Sequence, residues 1–324
     1  MKRFRTLIFK FNFESLNSQF SFTNFCRRQH SRVMTSTKSI SDMGYAFNTG
    51  GQLRKLEANG EPGDTPFQFN ISENHQECQK NYEELGEVIT EYVYKLLEEN
   101  ENLVKLPVPT DSKARTFVYA SRDYDKKDKL LVLIHGSGVV RAGQWARSLI
   151  INDSLNSGTQ IPYIRKAIAK DYGVIILNTN DNYTSEGDKI PHSSNPEEHA
   201  IYVWKTYIAS CSASSVAIVA HSYGGVVTLA LADKIKDFEK RVKAIAFTDS
   251  VHGFSQFKIT KHLKQIAKNW VASGEPLDTP MKTSQHDIVR VSAGHPKHEM
   301  TSHACIESVF KFIDEKLTNQ GMAT

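Results

Sequence analysis

Chemistry in this chain starts at Ser222, in the run Val219-Ala220-His221-Ser222-Tyr223-Gly224-Gly225. Small residues stand two positions before the serine (Ala220) and two after it (Gly224), the spacing of a Gly-x-Ser-x-Gly nucleophile elbow with alanine in the first place. The chain passes close to itself on both sides of such a serine, so larger side chains would block the turn. A serine hydroxyl attacks only when a base takes its proton, and the base needs an acid to orient it. Hydrolases of the elbow type carry these in the order serine, acid, histidine. Asp249, after the apolar run Ala244-Ile245-Ala246-Phe247, is the predicted acid, and Asp278 in Gly274-Glu275-Pro276-Leu277-Asp278 is the alternative. The base is expected after the last strand, where His295, His298 and His303 stand; His298 is chosen because it lies far enough along for its loop to fold back over the elbow. An attacked carbonyl also needs backbone donors for its oxyanion. His135-Gly136-Ser137-Gly138 directly follows Leu131-Val132-Leu133-Ile134, which assigns that role to Gly136, Gly138 and the N–H of Tyr223.

Competing chemistries fit less well. His298-Glu299 followed by His303 is one residue too long to put both imidazoles on one helical face, as the zinc motif HExxH does. The glycines at 136 and 138 lack the following Lys-Ser/Thr of a phosphate loop, and Cys26, Cys78, Cys211 and Cys305 form no CxxC pair. No cofactor or metal is expected, and the cysteines are expected as buried free thiols. His252, three residues past Asp249, is a further candidate for the cleft.

The elements that must position these groups follow from pattern. Tyr45–Phe47 and Gln52–Leu56 predict a small hairpin, with Pro66–Phe69 extended beside it, and Tyr82, Leu85, Ile89, Val93 and Leu96 mark an amphipathic helix over 76–99. Strands are predicted at 116–120, 130–134, 174–177, 215–219, 242–247 and 288–291. Helices are predicted at 161–171, 196–209, 226–238, 260–271 and 306–317. Alternating strands and helices imply an α/β fold: an α/β-hydrolase-like, mainly parallel sheet with helices on both faces and its ligand at the carboxyl ends of the strands. The polar stretch 183–195 is expected as the mobile loop. The organisation expected is a basic disordered or targeting tail over 1–40, a single domain over 41–318 whose hairpin and helix occupy 41–110, and a short tail over 319–324.

Charge is divided unevenly along the chain. The net charge of +4 combines +6 from residues 1–33 with −2 from the rest, so the body lacks the basic surface of a nucleic-acid binder, and no direct nucleic-acid contact is expected. The first 33 residues, rich in Phe, Ser and Arg with Phe4, Leu7, Ile8 and Phe11 at helical spacing, have the composition of a mitochondrial transit peptide; an extension ahead of a start at Met34 is the other reading. No apolar run is long enough for a membrane span.

Longer words carry a resemblance. The stretch from His135 to Arg147 (HGSGVVRAGQWAR), Ser157 to Pro162, Pro196 to Trp204, Ala220 to Gly225, Thr248 to His252 and Glu275 to Thr279 closely resemble the Argonaute-binding-protein (Arb-type) domain family, and within it the cotranscriptional regulator branch. The resemblance runs from about Gly44 to Leu317. It implies an α/β-hydrolase-like fold with Ser222 at the nucleophile position, Argonaute, chromatin and splicing proteins as partners, and residence in nucleus and cytoplasm. Two functions follow as expectations: an interaction module on a serine-hydrolase scaffold, or an active serine hydrolase on a small ester or amide. The Lys/Arg-rich insertion that the resemblance implies between 177 and 196 is here a short polar stretch.

Overall fold

Nearly unbroken apolar runs along the central strands build a sheet buried on both faces. The computed structural model describes residues 38–318. In chain order they form β1 (Tyr45–Phe47), β2 (Leu53–Leu56), β3 (Pro62–Pro66), α1 (His75–Glu99), β4 (Leu103–Val108), β5 (Thr116–Ser121), β6 (Lys129–Ile134), α2 (Arg147–Asn152), α3 (Ile161–Ala169), β7 (Gly173–Ile176) and α4 (Pro196–Val203). Then come β8 (Ser215–His221), α5 (Gly224–Lys234), β9 (Val242–Thr248), α6 (Lys261–Ile266), β10 (Ala267–Val271), β11 (Arg290–Ser292) and α7 (Ile306–Thr318), with short helical turns between them.

Eight strands join in the order β4-β5-β7-β6-β8-β9-β10-β11. The β4–β5 and β5–β7 pairs are antiparallel, and every other pair is parallel. This crossover order, with one antiparallel strand second from the edge, is the α/β-hydrolase arrangement. Side chains alternate between the faces along each strand. Leu131, Leu133, Val174, Ile176, Ala217, Val219, Ala244 and Ala246 enter one core with α1, α3 and α7. Leu130, Val132, Ile134, Ile175, Val216, Ile218, Ala220, Ile245 and Phe247 enter the other with α4, α5 and α6.

The hairpin forms as predicted, Tyr45 pairing Lys55 and Phe47 pairing Leu53. It lies on α1, where the Phe47 and Tyr92 rings stack at 5.1 Å. Asn74 caps α1 by accepting the Gln76 N–H at 2.9 Å. Gly86 on the same helix gives passage to the buried Arg147 side chain, which a Cβ there would meet at 2.6 Å.

The predicted helix over 260–271 is corrected. Thr260 caps α6 as its sequence suggests, but α6 stops at Ile266 and Ala267–Val271 is β10. Leu263, Ile266 and Trp270 have helical spacing, yet Asn269 and Trp270 gain ladder partners in both β9 and β11, and Lys268 one in β9, which the isolated segment lacks. The edge strand β4 was not visible in the pattern, and the extended piece expected at 66–69 lies earlier, at Pro62–Pro66. The polar stretch 183–195 is tied down rather than free: Ile190 and Ser193 are buried, and Ser193 Oγ donates to Asp181 O at 3.0 Å. Cys78, Cys211 and Cys305 are buried free thiols. The basic segment of residues 1–33 lies outside the described residues.

Candidate active site

Ser222 stands at the carboxyl end of the central strand β8 with φ of 52°, a left-handed conformation rare for a residue with a side chain. The surroundings over-determine it. Ser222 N–H donates to Thr248 O at 3.1 Å, while its carbonyl accepts the N–H groups of Gly225 at 3.1 Å and Val251 at 3.2 Å. A Cβ on Gly224 would stand 2.7 Å from Ile134 O, and one on Gly225 would stand 1.7 Å from Ser250 Oγ. Two glycines after Ser222–Tyr223 are therefore needed for α5 to start against β6 and β9. Ala220, fully buried between Ile134 and Phe247, satisfies the same demand on the other side of the turn.

The loop after β6 runs beside the serine. A Cβ on Gly136 would lie 3.0 Å from Ser222 Cβ and 3.5 Å from its Oγ, so only glycine leaves room for the serine side chain there. Asn180 Nδ2 fixes this loop by donating to Gly136 O at 2.9 Å and to Val140 O at 3.1 Å. Gly138, with φ of 108°, has open space where a side chain would be, and no contact ties it to Ser222. Tyr223 follows the serine at the start of α5, its phenol donating to Glu197 Oε1 at 2.7 Å.

Asp249 and His298 meet. His298 Nδ1 lies 2.7 Å from Asp249 Oδ2, and Asp249 Oδ1 accepts the Ala272 N–H at 3.0 Å. Both carboxylate oxygens are thus occupied, one holding the base and the other held by the backbone after β10. Burial pushes the Asp249 carboxyl up, but hydrogen bonds from His298 and Ala272 outweigh it and leave the group below its ordinary range. The Asp249 hydrogen bond raises the His298 imidazole above its usual value, against an opposing push from burial. The hydrogen bonds of the described residues do not include one between Ser222 Oγ and His298. The His298–Asp249 pair is formed and Ser222 is seated in its elbow, as two separate parts of the candidate site. Catalytic hydrogen bonds are commonly loose before substrate arrives.

The other candidates are engaged elsewhere. Asp278 accepts Trp270 Nε1 at 2.8 Å and the Ser308 hydroxyl at 2.6 Å, so it holds β10 to α7 and has no contact with His298. His295 Nδ1 accepts the Lys297 N–H at 3.1 Å and shapes its own turn. His252 is buried, with Nδ1 2.8 Å from Ser250 Oγ and Nε2 3.0 Å from Asp287 Oδ1.

Sequence reasoning missed the packing that supports these groups. His221, between Ala220 and Ser222, lies against the His298 ring at a centroid distance of 4.6 Å. Its Nδ1 faces the Thr248 carbonyl at 2.9 Å, so that nitrogen carries the proton. Burial, helped by the nearby His298 charge, lowers the His221 pKa to about 3 and keeps the ring neutral. His199 is likewise buried and neutral, its pKa lowered to about 3, accepting the Asn178 N–H at Nε2 and facing Ser193 at Nδ1. Adjacency to Ser222 was a visible signal for His221; nothing local marked His199 or Asn180.

This topology, with a strained serine elbow at the end of the central strand and a carboxylate–imidazole pair from the next strand ends, defines an α/β-hydrolase-like protein. The chain belongs to the Arb2 domain family, which matches residues 36–189 and 184–277. It is 42% identical to the human cotranscriptional regulator ARB2A over 84% of this chain and 79% of that protein. The Xenopus tropicalis cotranscriptional regulator ARB2A homolog is 40% identical over 88% of this chain and 81% of its own length. The Dictyostelium discoideum homolog is 34% identical over 85% and 79%. Among solved structures, a histone deacetylase from Saccharomyces cerevisiae aligns with a TM-score of 0.50 at 14% identity, covering 71% of this chain and 97% of that one. The histone deacetylase Clr3 gives 0.50 at 15%, covering 80% and 47%. At such identities these two likenesses concern the fold alone.

Proposed function

We propose that this protein is a cotranscriptional-regulator-like interaction module whose cleft is a serine-hydrolase site. The regulatory half rests on kinship with proteins named cotranscriptional regulators over most of the chain. By the same resemblance its partners are Argonaute, chromatin and splicing proteins, and its place of action is the nucleus. The hydrolase half rests on one observation above all: the 2.7 Å bond between His298 and Asp249 formed beside the Ser222 elbow.

The chemistry proposed is acyl transfer from an ester or amide. Ser222 Oγ attacks the carbonyl carbon while His298 Nε2 takes the hydroxyl proton, and the N–H groups of Gly136 and Tyr223 receive the negative charge on the carbonyl oxygen. As the carbon–heteroatom bond breaks, His298 returns the proton to the leaving alcohol or amine. Water activated by the same imidazole then releases the acyl group. Asp249 holds the tautomer that leaves Nε2 free to accept.

A fluorophosphonate probe tests the hydrolase half, with covalent labelling expected at Ser222 and lost in Ser222→Ala; a folded protein that stays unlabelled refutes it. Pull-down with Argonaute tests the other half. Capture is expected from both wild type and Ser222→Ala, and absence of capture from the wild type refutes the partner assignment.

A further inference from the structure

We infer that the cavity beside Ser222 receives the uncharged apolar chain of an acyl substrate and rejects a chain that ends in a carboxylate. The inference deepens the serine-hydrolase reading and rests on it for the chemistry, while the binding it describes is measurable without turnover.

Next to the elbow is a cavity of about 590 Å³ lined by Glu197, Tyr223, Val226, Val251 and the segment Phe254-Ser255-Gln256-Phe257, within the roughly 300–1,000 Å³ of small-molecule sites. Three of its walls are tied to the nucleophile. Tyr223 follows Ser222 in the chain, Val226 stands on the first turn of α5, and the Val251 N–H donates to the Ser222 carbonyl at 3.2 Å. The cavity thus adjoins the turn that presents Ser222, whose own side chain is not part of the lining.

Apart from Glu197, Ser255 and Gln256 its lining is apolar. Phe254 is 88% exposed at the mouth. Collapse of that ring into the protein is prevented by the residue two places earlier. His252 is buried, stacked on Phe247 at 4.9 Å, and bonded at one nitrogen to Ser250 and at the other to Asp287. Phe254 N–H and Ser255 N–H return to Val251 O and His252 O, so the segment that presents the ring is a closed turn on a fixed base. With Val226, Val251 and Phe257 the ring makes one contiguous apolar surface, of the kind an apolar ligand covers.

Glu197 supplies the discrimination. Its Oε1 accepts the Tyr223 phenol at 2.7 Å, which fixes a carboxylate in a wall made mostly of rings and valines. An uncharged chain passes it at little cost, whereas a second carboxylate is repelled at short range.

The test uses Ser222→Ala protein and three amides: acetamide, hexanamide and the monoamide of adipic acid, with affinities read by titration calorimetry or ligand-observed NMR. Each buried methylene is worth roughly fourfold in affinity, so sheltering about two of them makes hexanamide bind on the order of tenfold more tightly than acetamide. The adipic monoamide is expected to bind at least about tenfold more weakly than hexanamide, a penalty that Glu197→Gln abolishes while keeping an acceptor for Tyr223. Phe254→Ser, a surface change that folding tolerates, and Val226→Trp, which fills the cavity, should each bring hexanamide close to acetamide. Equal affinities for acetamide and hexanamide, undetectable hexanamide binding, or a preference that survives both cavity variants overturns the inference. Failure of the hydrolase reading is read separately, as absent fluorophosphonate labelling of wild-type Ser222.

Discussion

Asp249→Asn separates a working base from a structural histidine. The change is nearly isosteric, and asparagine tolerates the left-handed backbone at this position, where φ is 48°. Orientation of the new amide is dictated by its neighbours. Asp249 Oδ1 accepts the Ala272 N–H at 3.0 Å, so the amide oxygen must stay on that side, and the NH₂ group then faces His298 Nδ1 where a carboxylate oxygen stood 2.7 Å away. Two donors cannot face each other, so Nδ1 becomes the acceptor and the ring proton moves to Nε2. That nitrogen can no longer take the Ser222 proton. In serine-protease triads the same carboxylate-to-amide change costs about 10⁴ in kcat, and fluorophosphonate labelling of Ser222 should fall by about that order. The pH profile should move as well. Wild-type labelling rises as His298 loses its proton at a pH above the ordinary histidine value, because Asp249 raises it; without the carboxylate that midpoint shifts down. Labelling of Asp249→Asn within about tenfold of wild type, with an unmoved midpoint, would refute the assignment. The stability linkage has a definite sign. The raised His298 pKa contributes stability that is present below about pH 6.5 and lost as pH rises through the folded value. The lowered Asp249 pKa contributes stability present above about pH 4 and lost as pH falls through its folded value. Between those limits the pair is strongest, and urea midpoints of wild type and Asp249→Asn should differ most there.

Gly136→Ala puts a methyl 3.0 Å from Ser222 Cβ and displaces the donor loop, so labelling should drop by about a hundredfold or more while the urea midpoint changes little. Asp278→Ala strips buried Trp270 Nε1 of its acceptor and should cost about 1–3 kcal/mol in urea unfolding with Ser222 labelling retained; a loss of labelling equal to that of Asp249→Asn would make Asp278 the acid instead. Gly86→Ala drives a methyl to 2.6 Å from the Arg147 guanidinium, which donates to Glu87 at 3.0 Å and to Val139 O at 3.1 Å. Overpacking at that crossing should cost about 1–3 kcal/mol by urea titration, and an unchanged midpoint would show that α1 shifts freely over the oxyanion loop.

Much of the site was legible because its parts are local. The elbow announces itself through Ala220, Gly224 and Gly225, whose small size is required by contacts with Ile134, Phe247 and Ser250. Strand runs such as Leu130–Ile134 and Val216–Ala220 are apolar at every position because both faces of a parallel sheet are covered. Segment 260–271 was misread because Leu263, Ile266 and Trp270 satisfy a helical period, and only partners more than a dozen residues away in β9 and β11 turn its second half into a strand.

The amino-acid sequence by itself determined most of the order of strands and helices, all but β4 and β10, together with the serine and its turn and the short set of histidines and aspartates able to serve it, since those depend on residue size, period and adjacency. Choosing among them required the tertiary structure. Asp249 and Asp278 are both aspartates in left-handed turns near strand ends, and they differ in what stands opposite: His298 and the Ala272 N–H for one, the Trp270 indole and Ser308 for the other. Chain separation carries no information about such meetings, because they are decided by where the sheet order sends each loop. The same holds for the apolar cavity at Phe254 and for the neutral His221 beneath His298, which exist only once β8, β9 and β10 lie side by side.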